Sequence, residues 1–369
     1  MIPLFKVRHP KGLGNLIDKV YESGIITEGD YADEFEKKIG EYIGNPNVCL
    51  VNSCTSAISL AAHMCNIGPD DEVITTSMTC LATNLPFYQL GAKLVFADVD
   101  PTTGNLDPKS VAKLVTDKTK AIVVVHWAGQ PVELNEIHKI AIRYNIPVIE
   151  DAAHALRAEY DNIRIGSHSD YVCFSFQAIK QLSTVDGGAI ACKRPEDAAL
   201  IRKIRWFGLD RSFKSPPGQP PASRWEQDIT HGGFKMHMNN INAAIGLLQM
   251  ETIDEVIDAH IANGKYYDGF IHNPKIEKMR RPTNTKSAFW IYSLLVDDPV
   301  KFKQYMTENG IATDVVHVRN DKYTIFENFR PSEPLKGLDH FASKLMHIPV
   351  GWWLSEDERN YIVYTVNNY

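Results

Sequence analysis

The chain has 369 residues and a net charge of −6, with 44% hydrophobic and 23% charged residues. That length exceeds what one small core organises and fits two domains, and the acidic balance offers no footprint for nucleic acid or an anionic membrane. The N-terminal segment lacks the apolar run of a signal peptide, no later stretch reaches membrane-span length, and none of the six cysteines forms a Cys-x-x-Cys pair. A cytoplasmic protein without a metal site is expected.

Between residues 47 and 193, short apolar runs alternate with helix-like segments. Strands are expected at 48–51, 71–77, 92–99, 120–127, 146–153, 171–176 and 188–193. Several are apolar almost throughout, the pattern of strands covered on both faces. The intervening TSAISLAAHMC, LDPKSVAKLV and LNEIHKIAIRYN carry apolar residues at three-to-four spacing. The repeated strand–helix–strand order predicts an α/β domain with a mostly parallel sheet and helices on both faces. Residues 211–233 are proline-rich and aperiodic, a long loop of the kind that is functional or disordered. Residues 239–271 read as one long helix that bridges to a second unit. The remainder mixes one strand (FWIYSLLV) with two helices (VKFKQYMTENG, SEDERNYIVYTVNN), a small C-terminal α+β domain. The expected division is 1–250 for the large domain and 251–369 for the small one.

Four features carry chemistry, and each lies where an open parallel sheet binds ligands. Asn52-Ser53-Cys54-Thr55-Ser56 joins the first strand to a helix; its free N–H groups suit a phosphate, and a plain Ser/Thr N-cap is the alternative. Glu150-Asp151-Ala152-Ala153-His154 ends a very apolar strand. A carboxylate there needs a partner; the protonated pyridine nitrogen of pyridoxal phosphate (PLP) is one, and an Asp capping the next turn is the other reading. Phe174-Ser175-Phe176-Gln177-Ala178-Ile179-Lys180 places a lysine after apolar residues and before a Gly-Gly turn. A desolvated lysine becomes nucleophilic, although most lysines are solvated surface residues. Gly232-Gly233-Phe234-Lys235 precedes the long helix, as a close approach or a flexible entry.

In order and spacing these segments resemble the DegT/StrS family of sugar aminotransferases, PLP enzymes of fold type I. The resemblance runs from SGIITEGDYADEFEKKIGEYIG through NSCTSAI, IGPDDEVITTSMTCLATN, ADVDPTTGNLDP, HWAGQPVELNEI, EDAAHA, GSHSDYVCFSFQAIKQLSTVDGGAI and MNNINAAIGLLQ to IPVGWWLSEDERNYIV. It implies an aspartate-aminotransferase-like large domain. It implies that Lys180 carries the cofactor and later moves a proton between carbons, and that Asp151 pairs with the pyridinium nitrogen. His154 falls beside the ring hydroxyl. Ser175, with the backbone of Cys54 and Thr55, falls at the phosphate. Glu150 receives no role.

Three positions depart from the family pattern. Cys54 replaces a glycine in the Ser-Gly-Thr turn, which is harmless provided the position needs no positive φ. Cys80 stands where an aromatic residue usually lies against the cofactor ring, offering a smaller polarizable surface. Lys235 replaces an Asn that reaches the phosphate of the neighbouring subunit, so the resemblance implies a homodimer with a shared site. His317, Arg319 and Asn320 fall on the substrate side. The implied reaction moves an amino group from L-glutamate, through PLP and its amine form PMP, to a keto-sugar carried on a nucleoside diphosphate. A related sugar dehydratase carries His in place of Lys180. A non-catalytic regulator of the same fold would be expected to have lost Lys180, Asp151 or Ser175. A nicotinamide dehydrogenase lacks support, because Gly12 and Gly14 follow no strand.

Overall fold

The structure, a computed structural model, describes residues 1–213 and 224–369; the middle of the loop expected at 211–233 lies outside them. The chain opens with α1 (Leu13–Glu22) and α2 (Asp30–Ile43), then builds β1 (Val48–Val51), α3 (Cys54–Met64), β2 (Glu72–Thr76), α4 (Leu81–Gln89) and β3 (Lys93–Ala97). It continues with α5 (Pro108–Leu114), β4 (Thr119–Val125), α6 (Leu134–Tyr144), β5 (Val148–Asp151) and the short hairpin β6 (Glu159–Tyr160) and β7 (Ile163–Arg164). Strands β8 (Tyr171–Ser175) and β9 (Gly188–Cys192) complete a seven-stranded sheet of order β1-β9-β8-β5-β4-β2-β3.

Alternate side chains of these strands feed two separate cores, which is why several of the strands are apolar almost throughout. Ile122 and Val124 of β4 with Ala189 and Ala191 of β9 face α2, α5 and α6 through Phe35, Val111 and Ile137. Ala121, Val123, Ile190 and Cys192 face α3, α4 and α7 (Pro195–Ile204) through Ile58, Phe87 and Ile201. Only β9 runs against its neighbours, pairing antiparallel with both β1 and β8. Its apolar pattern is the same in either direction, so the sequence does not announce the reversal.

The long helix expected over 239–271 is broken. Helix α8 (Asn240–Met250) ends at Glu251, Thr252 leaves the helical region at φ −135°, and α9 (Ile253–Phe270) starts anew. The break redirects the chain. Ile253 and Ile257 of α9 complete the large core, while Tyr267, near its end, enters the small one. That small unit is an antiparallel sheet of β10 (Ile276–Lys278), β12 (Tyr292–Val296) and β13 (Leu345–Ile348), covered by α10 (Pro299–Glu308) and α12 (Glu356–Asn367). Strand β11 (Thr285–Lys286) pairs back onto β6, and α11 (Lys336–Lys344) packs Leu338 and Phe341 beneath the cleft. The first residues pair with the small unit: Ile2 bridges to Ile311, and Phe5 leans on Trp290 at 5.3 Å. No helix among the described residues is long and apolar enough to cross a membrane, and none of their acidic, His or Cys groups is arranged to hold a metal ion.

Candidate active site

Strands β1, β9 and β8 lie side by side, and their register sets Val51, Gly188 and Ser175 at one level. Gly188 makes a notch there. A Cβ at this position would lie 2.6 Å from the Cys54 nitrogen and 2.7 Å from the Phe174 oxygen, backbone atoms that cannot swing away. The notch lets the first turn of α3 settle against the sheet. Ser53 caps that helix by accepting from the Ser56 amide at 3.1 Å. The amides of Cys54 and Thr55 find no protein acceptor among the described residues. Ser175 Oγ accepts from the Gln177 amide at 3.3 Å, which leaves its own hydrogen to give. Two backbone donors, a hydroxyl and a positive helix end therefore converge beside Gly188, an anion cradle. Cys54 is absent from the residues with positive φ, so replacing the family's glycine introduces no strain.

Lys180 lies in the turn after β8, where its amide donates to the Gln177 carbonyl at 2.9 Å. Its ammonium points into the cleft. Burial draws the pKa down to about 8, and the Asp151 carboxylate offsets part of that effect. Asp151 closes β5 and is 5% exposed. Its Oδ2 accepts from Thr83 Oγ1 at 2.6 Å and its Oδ1 from the Ala153 amide at 3.1 Å. Its neighbour Glu150 faces the opposite side of the sheet. There His126 accepts from the Val132 amide through Nδ1, so its Nε2–H donates to Glu150 at 2.8 Å. Both side chains are wholly buried. Burial would raise the Glu150 pKa, but hydrogen bonding, chiefly from His126, opposes it and the net shift is downward.

The wall behind Lys180 is a stack of rings. Trp290 and His154 lie parallel with centroids 3.8 Å apart, and His317 follows at 5.5 Å from His154. Trp127 meets both histidines and His347 at 5.8–6.5 Å. Burial, with the nearby Lys180 charge, draws His154 far below the usual imidazole range and His317 to about 4; burial and His317 bring His347 to about 3. All three are neutral at physiological pH. His154 Nδ1, His317 Nε2 and Trp127 Nε1 are buried without a hydrogen-bond partner. Such groups are costly unless something pairs with them.

The remaining expected site residues are placed differently. Cys80 is the extended residue that immediately precedes α4, and it is half-buried. Lys235 pairs with Trp206 through a backbone bridge and sets its ammonium 5.5 Å from that indole. Arg319 and Asn320 spend their donors inside the protein. Arg319 grips both oxygens of Asp321 at 2.8 and 2.7 Å and also reaches Asp339. Asn320 donates to the Thr79 carbonyl and accepts from Asn84, each at 2.8 Å. Two groups at the site have no signal in the sequence. Thr83 and Trp290 reach Asp151 and Lys180 from segments 68 and 110 residues away.

The residues fit PLP group by group. The cradle at Gly188 suits a dianionic phosphate, the buried Asp151 a protonated ring nitrogen, the unpaired His154 Nδ1 a ring hydroxyl, and the desolvated Lys180 a carbonyl carbon. A family model described as the DegT/DnrJ/EryC1/StrS aminotransferase family matches residues 12–367. The GDP-perosamine synthase of Caulobacter vibrioides is 35% identical over 299 residues, 79% of this chain and 77% of that protein. A UDP-4-amino-4,6-dideoxy-N-acetyl-beta-L-altrosamine transaminase of Campylobacter jejuni is 29% identical over 342 residues, 90% and 88% of the two chains. The crystal structure of the sugar aminotransferase CalS13 from Micromonospora echinospora has a TM-score of 0.94 and 35% identity, covering 100% of both chains.

Proposed function

The chain belongs to the DegT/DnrJ/EryC1/StrS aminotransferase family and is a PLP-dependent sugar aminotransferase of fold type I; from that premise we propose that it moves an amino group from L-glutamate to the ketone of a nucleotide-linked deoxysugar. The observation that carries this reading is the buried Lys180 amine with its pKa near 8, facing Asp151 beside the Gly188 cradle. The similarity to proteins named for GDP- and UDP-linked sugars supports the substrate class.

PLP, when bound, supplies the electron sink that lets an amino group leave one carbon and join another. The chain's own residues do the rest. Asp151, steadied by Thr83 and the Ala153 amide, keeps a proton on the ring nitrogen. Cys54, Thr55 and Ser175 hold the phosphate, and His154 meets the ring hydroxyl through Nδ1. Lys180 would carry the cofactor and, when free as an amine, would move the proton between carbons. The buried rings of Trp127 and Trp290 keep water from that proton. A lysine at 180 gives amino transfer rather than the dehydration associated with histidine there. Lys235 serves the phosphate of a second subunit in a homodimer, and the protein works in the cytoplasm.

The test is to supply L-glutamate with a panel of GDP-, UDP- and dTDP-linked 4-keto-6-deoxysugars and follow 2-oxoglutarate and amino-sugar formation. Stoichiometric products with one sugar establish the reaction; 2-oxoglutarate with no aminated sugar from any of them refutes the substrate class. Mixed Lys180→Ala and Lys235→Ala subunits should regain activity through hybrid dimers. Silence despite proven subunit exchange refutes the shared site.

A further inference from the structure

Lys180 is held from both sides by one short segment of the small unit. The residue before it, Ile179, accepts from Trp290 Nε1–H at 3.1 Å. The residue after it, Gln181, donates to the Ala288 carbonyl at 2.8 Å. The Lys180 ammonium itself lies 3.7 Å from the centroid of the Trp290 ring, within reach of a cation–π attraction. Trp290 is 2% exposed, with the His154 ring stacked on it and Phe5 behind it.

The chain is forced to present this indole. Phe289 sits in the left-handed region at φ 47°, a strained state for a bulky residue, and its ring fills the space left by Gly264. The Ala288 amide donates to the Gly129 carbonyl at 3.0 Å, and a Cβ on Gly129 would lie 3.0 Å from the Phe289 nitrogen. A corner built at that cost, and bonded to both neighbours of one lysine, is a positioning device.

We propose that Trp290 is the seat of the free Lys180 amine: its ring face holds the ammonium in one place whenever the lysine is not covalently engaged. The physical sense is direct. Burial weakens the charged amine's hold on its proton, and the π face gives part of that hold back without adding a hydrogen-bond acceptor that would compete for the amine. The amine thus remains able to return the proton it has taken. This rests on Lys180 being the cofactor lysine.

The test uses cofactor-free enzyme and competitive acetylation with acetic anhydride, read at Lys180 by peptide mass spectrometry across pH. The Trp290→Leu variant should lower the Lys180 midpoint by about 1 pH unit, a tenfold change in its protonation equilibrium. Trp290→Phe, which keeps a ring face but loses the bond to Ile179, should stay close to wild type. An unmoved midpoint in Trp290→Leu, or an equal fall in Trp290→Phe, overturns the proposal. Should Trp290→Leu fail to fold, wild-type sequence made with mono-, di- and trifluorinated tryptophan tests the same point at constant shape. The midpoint should fall stepwise with fluorine count, and a flat series overturns the proposal. Borohydride trapping of the holoenzyme separates the two layers. Cofactor recovered on Lys180 with an unmoved midpoint refutes only the role of Trp290, whereas cofactor on another lysine refutes both.

Discussion

Replacing Lys180 by Met should stabilise the cofactor-free protein at neutral pH. The folded state carries this lysine with a pKa near 8, against an ordinary value of 10.5. Below pH 8 both states are protonated, so the folded protein bears the full cost of a desolvated ammonium. That cost corresponds to about 3 kcal/mol at most, and to somewhat less because the side chain keeps some contact with the open cleft. Between pH 8 and 10.5 the folded state releases the proton while the unfolded state keeps it, so wild-type stability rises with pH and the cost disappears. Methionine matches the length and brings no charge. Thermal unfolding of wild type and Lys180→Met at pH 7 should differ by on the order of 5 °C in favour of the variant, and the gap should nearly close at pH 10. Equal midpoints at pH 7, or a gap as wide at pH 10, would refute the claim that this amine is desolvated in the folded protein.

Removing the imidazole from the wholly buried His126–Glu150 pair by His126→Leu should cost about 3–5 kcal/mol in urea unfolding at pH 7, because the partner carboxylate is left unpaired. Glu150 has a lowered folded pKa, so its contribution exists above the unfolded value and is lost as pH falls through the folded one. The gap between variant and wild type should therefore narrow as the pH falls into the range where carboxylates protonate. Gly188→Ala should lose cofactor during gel filtration and lower stability by about 1–3 kcal/mol, since its Cβ meets only backbone; full retention would dispose of the notch. Cys80→Phe should slow the loss of PLP on dialysis by about two- to tenfold, the worth of a stacked ring, and unchanged or faster loss would remove Cys80 from the ring face.

Residues at strand ends are the legible part of the candidate site. A parallel sheet brings the C-terminal ends of its strands to one edge, so Thr55, Asp151, Ser175 and Lys180 had to converge once the strands were recognised. Contacts made by tertiary approach left no trace. Thr83 looks like any helical threonine until α4 lies against β5, and Trp290 looks like a core tryptophan in an apolar strand. Arg319 and Asn320 show the reverse failing. Donor-rich residues read alike whether they await a ligand or are already satisfied, and here Asp321, Asp339, Thr79 and Asn84 satisfy them. The break at Thr252 was equally silent, because α8 and α9 carry compatible helical patterns and differ only in the cores they serve.

The position of β9 also sets a requirement on folding. The cradle needs Val51, Gly188 and Ser175 at one level, yet β9 is the last strand of the sheet to be synthesised and must slide between β8 and the first one made. Closing so long a loop is slow relative to local helix formation. PLP can therefore grip its complete phosphate site only once β9 is in place. The cofactor slows the reverse process, withdrawal of β9. Its protection should appear in unfolding rates and protease lifetimes, while refolding rates stay the same whether or not it is present.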